Sequence, residues 1–196
     1  MLSDLILKSK RMRAWVAEIS AGRAQEIVRD IEPYLKPSEK ILEIGAGTCV
    51  VTNAFRQKGH NVTPLDIHDV SCVPSIKPTV FDGKTFPFPD DSFDVGLLLN
   101  VLHHIPDPLA TIKEVHRVAR RIIIHEDIYD SFWRKYATFV MDSVTNLEFF
   151  GHPHSNRDDA GWKKVFAYLG LRITKANYKT FWRIFQNVTY CVDRES

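Results

Sequence analysis

The sequence predicts an α/β protein, a three-layer α/β/α sandwich around a mostly parallel seven-stranded sheet with a C-terminal antiparallel hairpin. Short apolar runs alternate with helical patterns between about residues 40 and 128, as in successive strand–helix–strand units. The first run leads directly into a turn with two glycines, Gly45 and Gly47. Two further strands close the chain with a short connection between them, so we expect them to pair antiparallel.

The individual elements follow from apolar periodicity and from turn residues. Apolar residues recur at helical spacing from about Met12 to Leu35, and we expect Gly22 to divide this stretch into two helices. Further helices are predicted at about Val51–Lys58, after Asp107 as N-cap, and at about Trp162–Leu169. The predicted strands are Ile41–Ile44, Asn61–Asp66, Thr79–Phe81, Phe93–Leu99, Arg121–Ile128, Arg172–Thr180 and Ile184–Val192.

Length and charge limit the classes of function. With 196 residues, 44% of them hydrophobic, the chain can form one substantial core, so we expect a single domain over residues 1–196. Within it we expect N-terminal helices at about residues 1–36 and a helical lid with an aromatic face at about residues 129–156. The formal charge of +2 is too small for nucleic-acid or membrane binding by bulk electrostatics.

The sequence carries no signal of export or of metal binding. Its cysteines, Cys49, Cys72 and Cys191, are widely spaced, as is typical of reduced intracellular thiols. No apolar run approaches the ~18 residues that a membrane helix needs. His152 and His154 stand close together, but no third ligand follows at a suitable spacing, so we expect a loop there. These observations favour a cytoplasmic protein without membrane or metal.

The glycine turn and a later aspartate predict a nucleoside site. Glycines between a buried strand and a helix permit tight backbone angles and let a ligand approach the main chain. Asp66 follows Gly45 by 21 residues, at the end of a second strand that Pro64 makes irregular. A carboxylate at this spacing can accept hydrogen bonds from both ribose hydroxyls.

The stretch Lys40–Thr52 resembles motif I of the class I S-adenosylmethionine-dependent methyltransferases, Glu/Asp-x-Gly-x-Gly-x-Gly. Glu43 supplies the acidic residue of this pattern, and Cys49 stands in the place of the third glycine. A small side chain can replace that glycine if its φ is negative, so Cys49 weakens the match to motif I without voiding it. The dinucleotide fingerprint Gly-x-Gly-x-x-Gly would need glycine where the chain has Val50.

Two further strings resemble the same family. Residues Asp82 to Asp94 are similar to the Asp-x-x-x-Leu-Pro-Phe-x-Asp-x-Ser-Phe-Asp signature of small-molecule methyltransferases, and Asn100 to Asp107 are similar to its Leu-His-His-Ile/Val segment. The resemblance implies a Rossmann-like fold, S-adenosyl-L-methionine as cofactor and S-adenosyl-L-homocysteine as product. The cofactor-binding residues that it implies are Glu43, Gly45, Ala46, Gly47, Asp66, Ile67, Asp82, Gly83, Asn100 and Val101.

Within that set the resemblance implies separate roles. Ile67 would lie against the adenine ring, Asp82 would accept from its amino group, and the amide of Gly83 would complete recognition of the base. The main chain of Asn100 and Val101 would meet the methionine moiety, beside the point where the strand order reverses.

Methyl transfer from a sulfonium is an in-line displacement, so the protein's main task is to align donor and acceptor in a water-poor site. A base is needed only if the acceptor must lose a proton, and His104 and Glu126 are the candidates. We expect a small-molecule acceptor with an oxygen, nitrogen or carbon nucleophile. The sequence leaves open the identity of the acceptor and the oligomeric state of the protein.

Three alternatives also stay open. A protein that binds S-adenosylmethionine without catalysis would fit the departure at Cys49. An RNA-directed methyltransferase could use the basic residues near the N-terminus, which are Lys8, Lys10, Arg11 and Arg13. A nicotinamide-dependent oxidoreductase is disfavoured by Val50 and by the closing hairpin.

Overall fold

The computed structural model describes residues 9–128, 157–181 and 185–194. The lid expected at about residues 129–156 lies outside the described residues. Four helices are described, together with short 3-10 turns at Glu32–Tyr34 and Leu102–His104. The helices are α1 (Lys10–Ile31), α2 (Val50–Gln57), α3 (Pro108–Val118) and α4 (Asp159–Tyr168). The strands are β1 (Lys40–Ile44), β2 (Asn61–Asp66), β3 (Thr79–Val80), β4 (Phe93–Leu99), β5 (Ala119–Ile128), β6 (Leu171–Phe181) and β7 (Phe185–Arg194).

The described strands form one sheet in the order β3-β2-β1-β4-β5-β7-β6. Strands β1 to β5 pair in parallel, and β7 lies antiparallel between β5 and β6. This arrangement confirms the predicted fold class, including the closing hairpin. The order of the strands reverses between β1 and β4. These two strands are neighbours in the sheet, and Ile44 pairs with Leu98 near their carboxyl ends. A crevice therefore opens at the carboxyl ends of these two strands, which is where open α/β sheets bind ligands.

Alternating side chains of the sheet build two separate cores. On β5, Ile122 and Ile124 join the core beneath α3 and α4, whereas Ile123 joins the core beneath α1 and α2. This follows from the period of two along a strand, which sends successive side chains to opposite faces. Because both faces carry helices, the strands consist of nearly continuous apolar runs.

Helix α1 is continuous, so the predicted division at Gly22 is wrong. Gly22 is exposed, and a glycine at an exposed helix position costs only about 1 kcal/mol relative to alanine. The buried side chains that follow it hold the helix on the sheet and outweigh that cost. They are Ala24, Ile27, Val28 and Ile31.

Strand β2 is regular despite Pro64. The carbonyl oxygen of Leu65 accepts from the amides of Gly45 and Ala46, so the peptide groups of Leu65 face β1. The missing N–H of Pro64 therefore faces β3, which pairs only with Leu65 and Asp66. Proline thus removes no hydrogen bond of the sheet at this position.

Candidate cofactor and acceptor site

The glycine turn lies at the carboxyl end of β1 and folds towards β2. The amides of Gly45 and Ala46 both donate to the carbonyl oxygen of Leu65, at 2.8 and 3.2 Å. Gly45 and Gly47 have φ values of +70° and +49°, in the region that favours glycine. The turn thereby presents its main chain at the crevice between β1 and β4.

The two glycines of the turn serve different purposes. A Cβ atom at Gly45 would lie 2.3 Å from Cγ2 of Val101, so this glycine lets the loop after β4 pack directly on the turn. A Cβ atom at Gly47 would have no heavy atom within 4 Å. Space for a ligand is therefore at Gly47, whereas the space at Gly45 is filled by the protein itself.

Cys49 has a φ of +58°, so the condition of a negative φ, under which a small side chain readily replaces the third glycine, is not met. The amide of Cys49 donates to the carbonyl oxygen of Ala46 at 2.8 Å, and its side chain is buried against Ala46 and Ile76. These contacts hold a non-glycine residue in the left-handed conformation at the start of α2. Burial raises the pKa of the Cys49 thiol to about 11, so the thiol is neutral at pH 7 and is not a nucleophile.

Asp66 is fixed beside the turn at the end of β2. Its Oδ2 accepts from the amide of Gly47 at 2.7 Å, and its Oδ1 accepts from the amide of His68 at 3.1 Å. A carboxylate has about four acceptor positions, so both oxygens can accept further hydrogen bonds. The structure thus holds a carboxylate next to the open space at Gly47.

Ile67 and the Asp82-Gly83 turn lie together beyond Asp66. Ile67 is 50% exposed, and a Cβ atom at Gly83 would lie 3.5 Å from its Cγ2. Oδ1 of Asp82 accepts from the amides of Lys84 and Thr85, and these hydrogen bonds, led by that of Thr85, lower the pKa of Asp82. An exposed apolar surface therefore lies beside a turn that carries a carboxylate, which suits a flat ring with a polar edge.

At the other side of the crevice, Asn100 follows β4 with a φ of +51°. Its amide N–H donates to the carbonyl oxygen of His125 at 2.7 Å. With the side chain oriented so that Nδ2 also donates to that oxygen, Oδ1 accepts from Nη2 of Arg23 at 3.1 Å. Arg23 also lies 3.9 Å from Asp127, at the carboxyl end of β5. Sequence reasoning missed Arg23, because nothing in the helical pattern of α1 distinguishes it from a solvated arginine.

Glu126 is almost fully buried, at 1% exposure, and supports the same loop. Its Oε1 accepts from the amides of Val101 and Leu102, at 2.9 and 2.8 Å. Its Oε2 lies 2.7 Å from Nδ1 of His103. The ring of His104 is centred 4.0 Å from that of His103 and is only partly buried. Glu126 thus holds the loop that carries His104, and a role as base stays a prediction for both.

Glu43 lies beneath the turn and is buried, where it accepts from the hydroxyl of Thr52. Burial raises the pKa of Glu43 to about 7, although the hydrogen bond from Thr52 opposes this shift. The folded protein therefore binds a proton at Glu43 more tightly than the unfolded chain does. The associated stability is present below pH 4.5 and is lost as the pH rises through 7.

We expect Glu43→Gln to raise the free energy of unfolding by about 2 kcal/mol more at pH 8 than at pH 5, because glutamine keeps the acceptor but carries no buried charge. Denaturant unfolding at both pH values measures this difference. His125, whose pKa burial lowers to about 4, acts in the opposite direction, losing stability as the pH falls below 6.5. It is present in both proteins and cancels in the comparison. An equal effect at both pH values would contradict the expectation.

Among the described residues, no three His, Cys, Asp or Glu side chains lie close enough together to hold a metal ion. None of the described helices is long and apolar enough to cross a membrane. His152 and His154 lie outside the described residues.

Residues 42–122 match the model of a protein family described as a methyltransferase domain. The chain is 27% identical over 140 residues to the demethylmenaquinone methyltransferase of Streptomyces griseus, covering 64% of this chain and 61% of that protein. It is also 27% identical over 93 residues to the ubiquinone biosynthesis O-methyltransferase of Pseudomonas aeruginosa, a match that covers 42% of this chain and 40% of that protein. The chain thus spans about three fifths or less of the length of these curated relatives.

The fold is similar to that of the magnesium protoporphyrin IX methyltransferase from Synechocystis, solved with bound S-adenosylhomocysteine. The TM-score is 0.61 with 16% identity, over 90% of this chain and 84% of the other. This likeness concerns the fold alone, whereas the family match covers the glycine turn, Asp66, Asp82 and the loop after β4. Residues 42–122 therefore match a methyltransferase domain, and the comparisons support a class I S-adenosylmethionine-dependent methyltransferase.

Proposed function

We propose that the protein transfers a methyl group from S-adenosylmethionine to a small-molecule acceptor, with ring-bearing hydroxyl compounds of the quinol type as the acceptor class. One observation carries the proposal: Asp66 is bonded to the amide of Gly47, where an added Cβ atom would have no heavy atom within 4 Å and a ligand has space. Ile67 and Asp82-Gly83 lie next along the same edge of the sheet. These groups match the ribose and the base of a nucleoside in number, chemistry and order.

In this function the side chains bind and orient the donor. Asp66 accepts from the ribose hydroxyls, Ile67 packs on the adenine ring, and Asp82 with the amide of Gly83 binds its polar edge. The main chain of Asn100 and Val101 lines the methionine end. When bound, S-adenosylmethionine supplies an electrophilic methyl group, so alignment and exclusion of water are the main demands on the protein.

The acceptor class is supported by the relatives and by the loop after β4. Two of the relatives are named for menaquinone and ubiquinone. A hydroxyl on such a ring becomes a strong nucleophile, at oxygen or at a neighbouring carbon, once it loses its proton. His104 lies on the loop that Glu126 holds in place, at the methionine end of the proposed site. Imidazole accepts protons near neutral pH.

The test is calorimetric titration with S-adenosylhomocysteine. We expect micromolar affinity for the wild type and at least a roughly tenfold loss for Asp66→Ala, because both ribose hydrogen bonds are removed. Asp94→Ala is the matched control. Asp94 accepts from the amide of Lys40 at the amino ends of β1 and β4, so this variant should bind as the wild type does.

Two results would contradict the proposal. The first is a folded wild type that binds neither S-adenosylmethionine nor S-adenosylhomocysteine, and the second is tighter binding of NAD than of S-adenosylmethionine. If binding occurs as expected, turnover of hydroquinone and naphthoquinol acceptors separates an enzyme from a protein that only binds the donor.

A further inference from the structure

Helix α1 crosses the carboxyl edge of the sheet. Near its start, Nη1 of Arg13 donates to the carbonyl oxygen of Ser71, which follows β2, at 3.2 Å. Farther along, Arg23 reaches Asn100 at the end of β4. Near its end, Asp30 accepts from Nζ of Lys179 in β6 at 2.9 Å. The helix therefore spans the crevice between β1 and β4, with polar contacts on either side of it.

One face of α1 lies over the carboxyl edge of the sheet. At about 100° per residue, the side chains of Met12, Trp15, Ile19, Arg23 and Asp30 fall within about 80° of the helix circumference. Arg23 and Asp30 contact residues at the strand ends, so the three apolar side chains that precede them project on the same side. They lie along the part of the helix between the contact of Arg13 with Ser71 and that of Arg23 with Asn100.

These three side chains are large and exposed. Met12, Trp15 and Ile19 have 36, 52 and 58% of their surface accessible, whereas the apolar side chains on the other side of α1 are buried. A contiguous exposed apolar surface beside a crevice is typical of a binding site. Methionine and tryptophan suit such a surface, because one adapts its shape and the other offers a broad flat ring.

The polar end of this face is Arg23. Its side chain is 51% exposed, and one of its five N–H donors is used by Asn100. Guanidinium donors favour a hydroxyl or an oxyanion. From Met12 to Ile19 the face extends for about 10 Å along the helix axis, and Arg23 lies about 6 Å farther on. The face therefore matches a molecule with an oxygen-bearing head and an apolar chain.

We infer that Met12, Trp15 and Ile19 form the wall that receives the apolar chain of the methyl acceptor, while Arg23 binds an oxygen of its head group. This inference rests on the proposed function and adds the acceptor's shape to it: a ring substituted with a chain of about eight or more carbons. The continuity of the apolar face with Arg23 and Asn100 assigns it to the acceptor.

The experiment compares 2-decylhydroquinone with hydroquinone, titrated into protein saturated with S-adenosylhomocysteine, below the concentration at which the probe forms micelles. The wild type should bind the decyl compound at least tenfold more tightly. In Trp15→Ser/Ile19→Ser this preference should fall at least fivefold, with the affinity for S-adenosylhomocysteine unchanged. Tyr168→Ser, which removes an exposed aromatic ring on α4, should keep the full preference. Arg23→Ala should weaken both probes.

Equal binding of the two probes by the wild type, or an unchanged preference in the double variant, would overturn the inference and leave the proposed function standing. Loss of S-adenosylhomocysteine binding by the wild type itself would instead remove the proposed function. Sedimentation of the wild type and the double variant gives the remaining outcome. A dimer that the double substitution converts to a monomer would show that the face joins two copies of the chain, which also overturns the inference.

Discussion

Gly45→Ala should lower the free energy of unfolding by about 3 kcal/mol and weaken binding of S-adenosylhomocysteine at least tenfold. Alanine at a φ of +70° costs roughly 1 kcal/mol, and its Cβ atom would lie 2.3 Å from Cγ2 of Val101, which adds roughly 2 kcal/mol of overpacking. Relief of the overlap must move either the turn or the loop after β4. Denaturant unfolding and calorimetry measure the two effects.

The control for this prediction is Gly22→Ala. Gly22 is exposed in α1 and has no neighbour within 4 Å of an added Cβ atom, so this change should raise the free energy of unfolding by about 1 kcal/mol. The double variant Gly45→Ala/Val101→Ala tests the cause, because it removes the overlapping methyl groups. We expect it to be more stable than the sum of the single effects by about 1 kcal/mol or more. Simple additivity would show that Val101 is not the obstacle.

Glu126→Ala should lower the free energy of unfolding by about 3–5 kcal/mol, because the amides of Val101 and Leu102 and the ring of His103 would all lose a buried partner. Glu126→Gln keeps an acceptor for the two amides, so its cost should be about 1 kcal/mol. Denaturant unfolding of both variants measures these losses. An alanine variant as stable as the wild type would contradict the structural role of Glu126.

The glutamine variant also distinguishes a positioning role of Glu126 from the predicted role as base. If Glu126 only positions the loop, Glu126→Gln should retain the pH profile of methyl transfer, with most of its effect on the affinity for the donor. If Glu126 is the base, the glutamine variant should lose turnover at every pH while S-adenosylhomocysteine still binds. Comparison with His104→Gln, on the same loop, indicates which of the two groups accepts the proton.

The sequence predicted those parts of the candidate site whose positions follow from the order of strands and turns along the chain. The glycine turn and Asp66 end successive parallel strands, whose carboxyl ends meet at one edge, so their spacing suffices to place them together. The contact of Arg23 with Asn100 joins residues 77 positions apart, and that of Glu126 with Val101 joins residues 25 positions apart. Apolar periodicity carries no information about such pairs.

Two local conformations depart from what the sequence alone favours, and for the same reason. An isolated residue with a side chain favours a negative φ, but at Cys49 burial and the bond to Ala46 fix the left-handed conformation. A break at Gly22 was the expectation for an isolated helix, but packing of the residues that follow it keeps α1 whole. In both cases tertiary contacts outweighed a local preference of about 1 kcal/mol.

Because the pKa of Glu43 is about 7, binding of a charged ligand is coupled to a change in the number of protons that the protein binds. Near neutral pH the buried carboxyl beneath the turn exists as a mixture of its two protonation states. The positive charge of a bound sulfonium would favour the charged carboxylate, whereas the uncharged sulfur of S-adenosylhomocysteine would not. The donor would thus release protons on binding, and its heat of binding would vary with the ionisation enthalpy of the buffer. Exchange of product for donor would then become more favourable as the pH rises through 7.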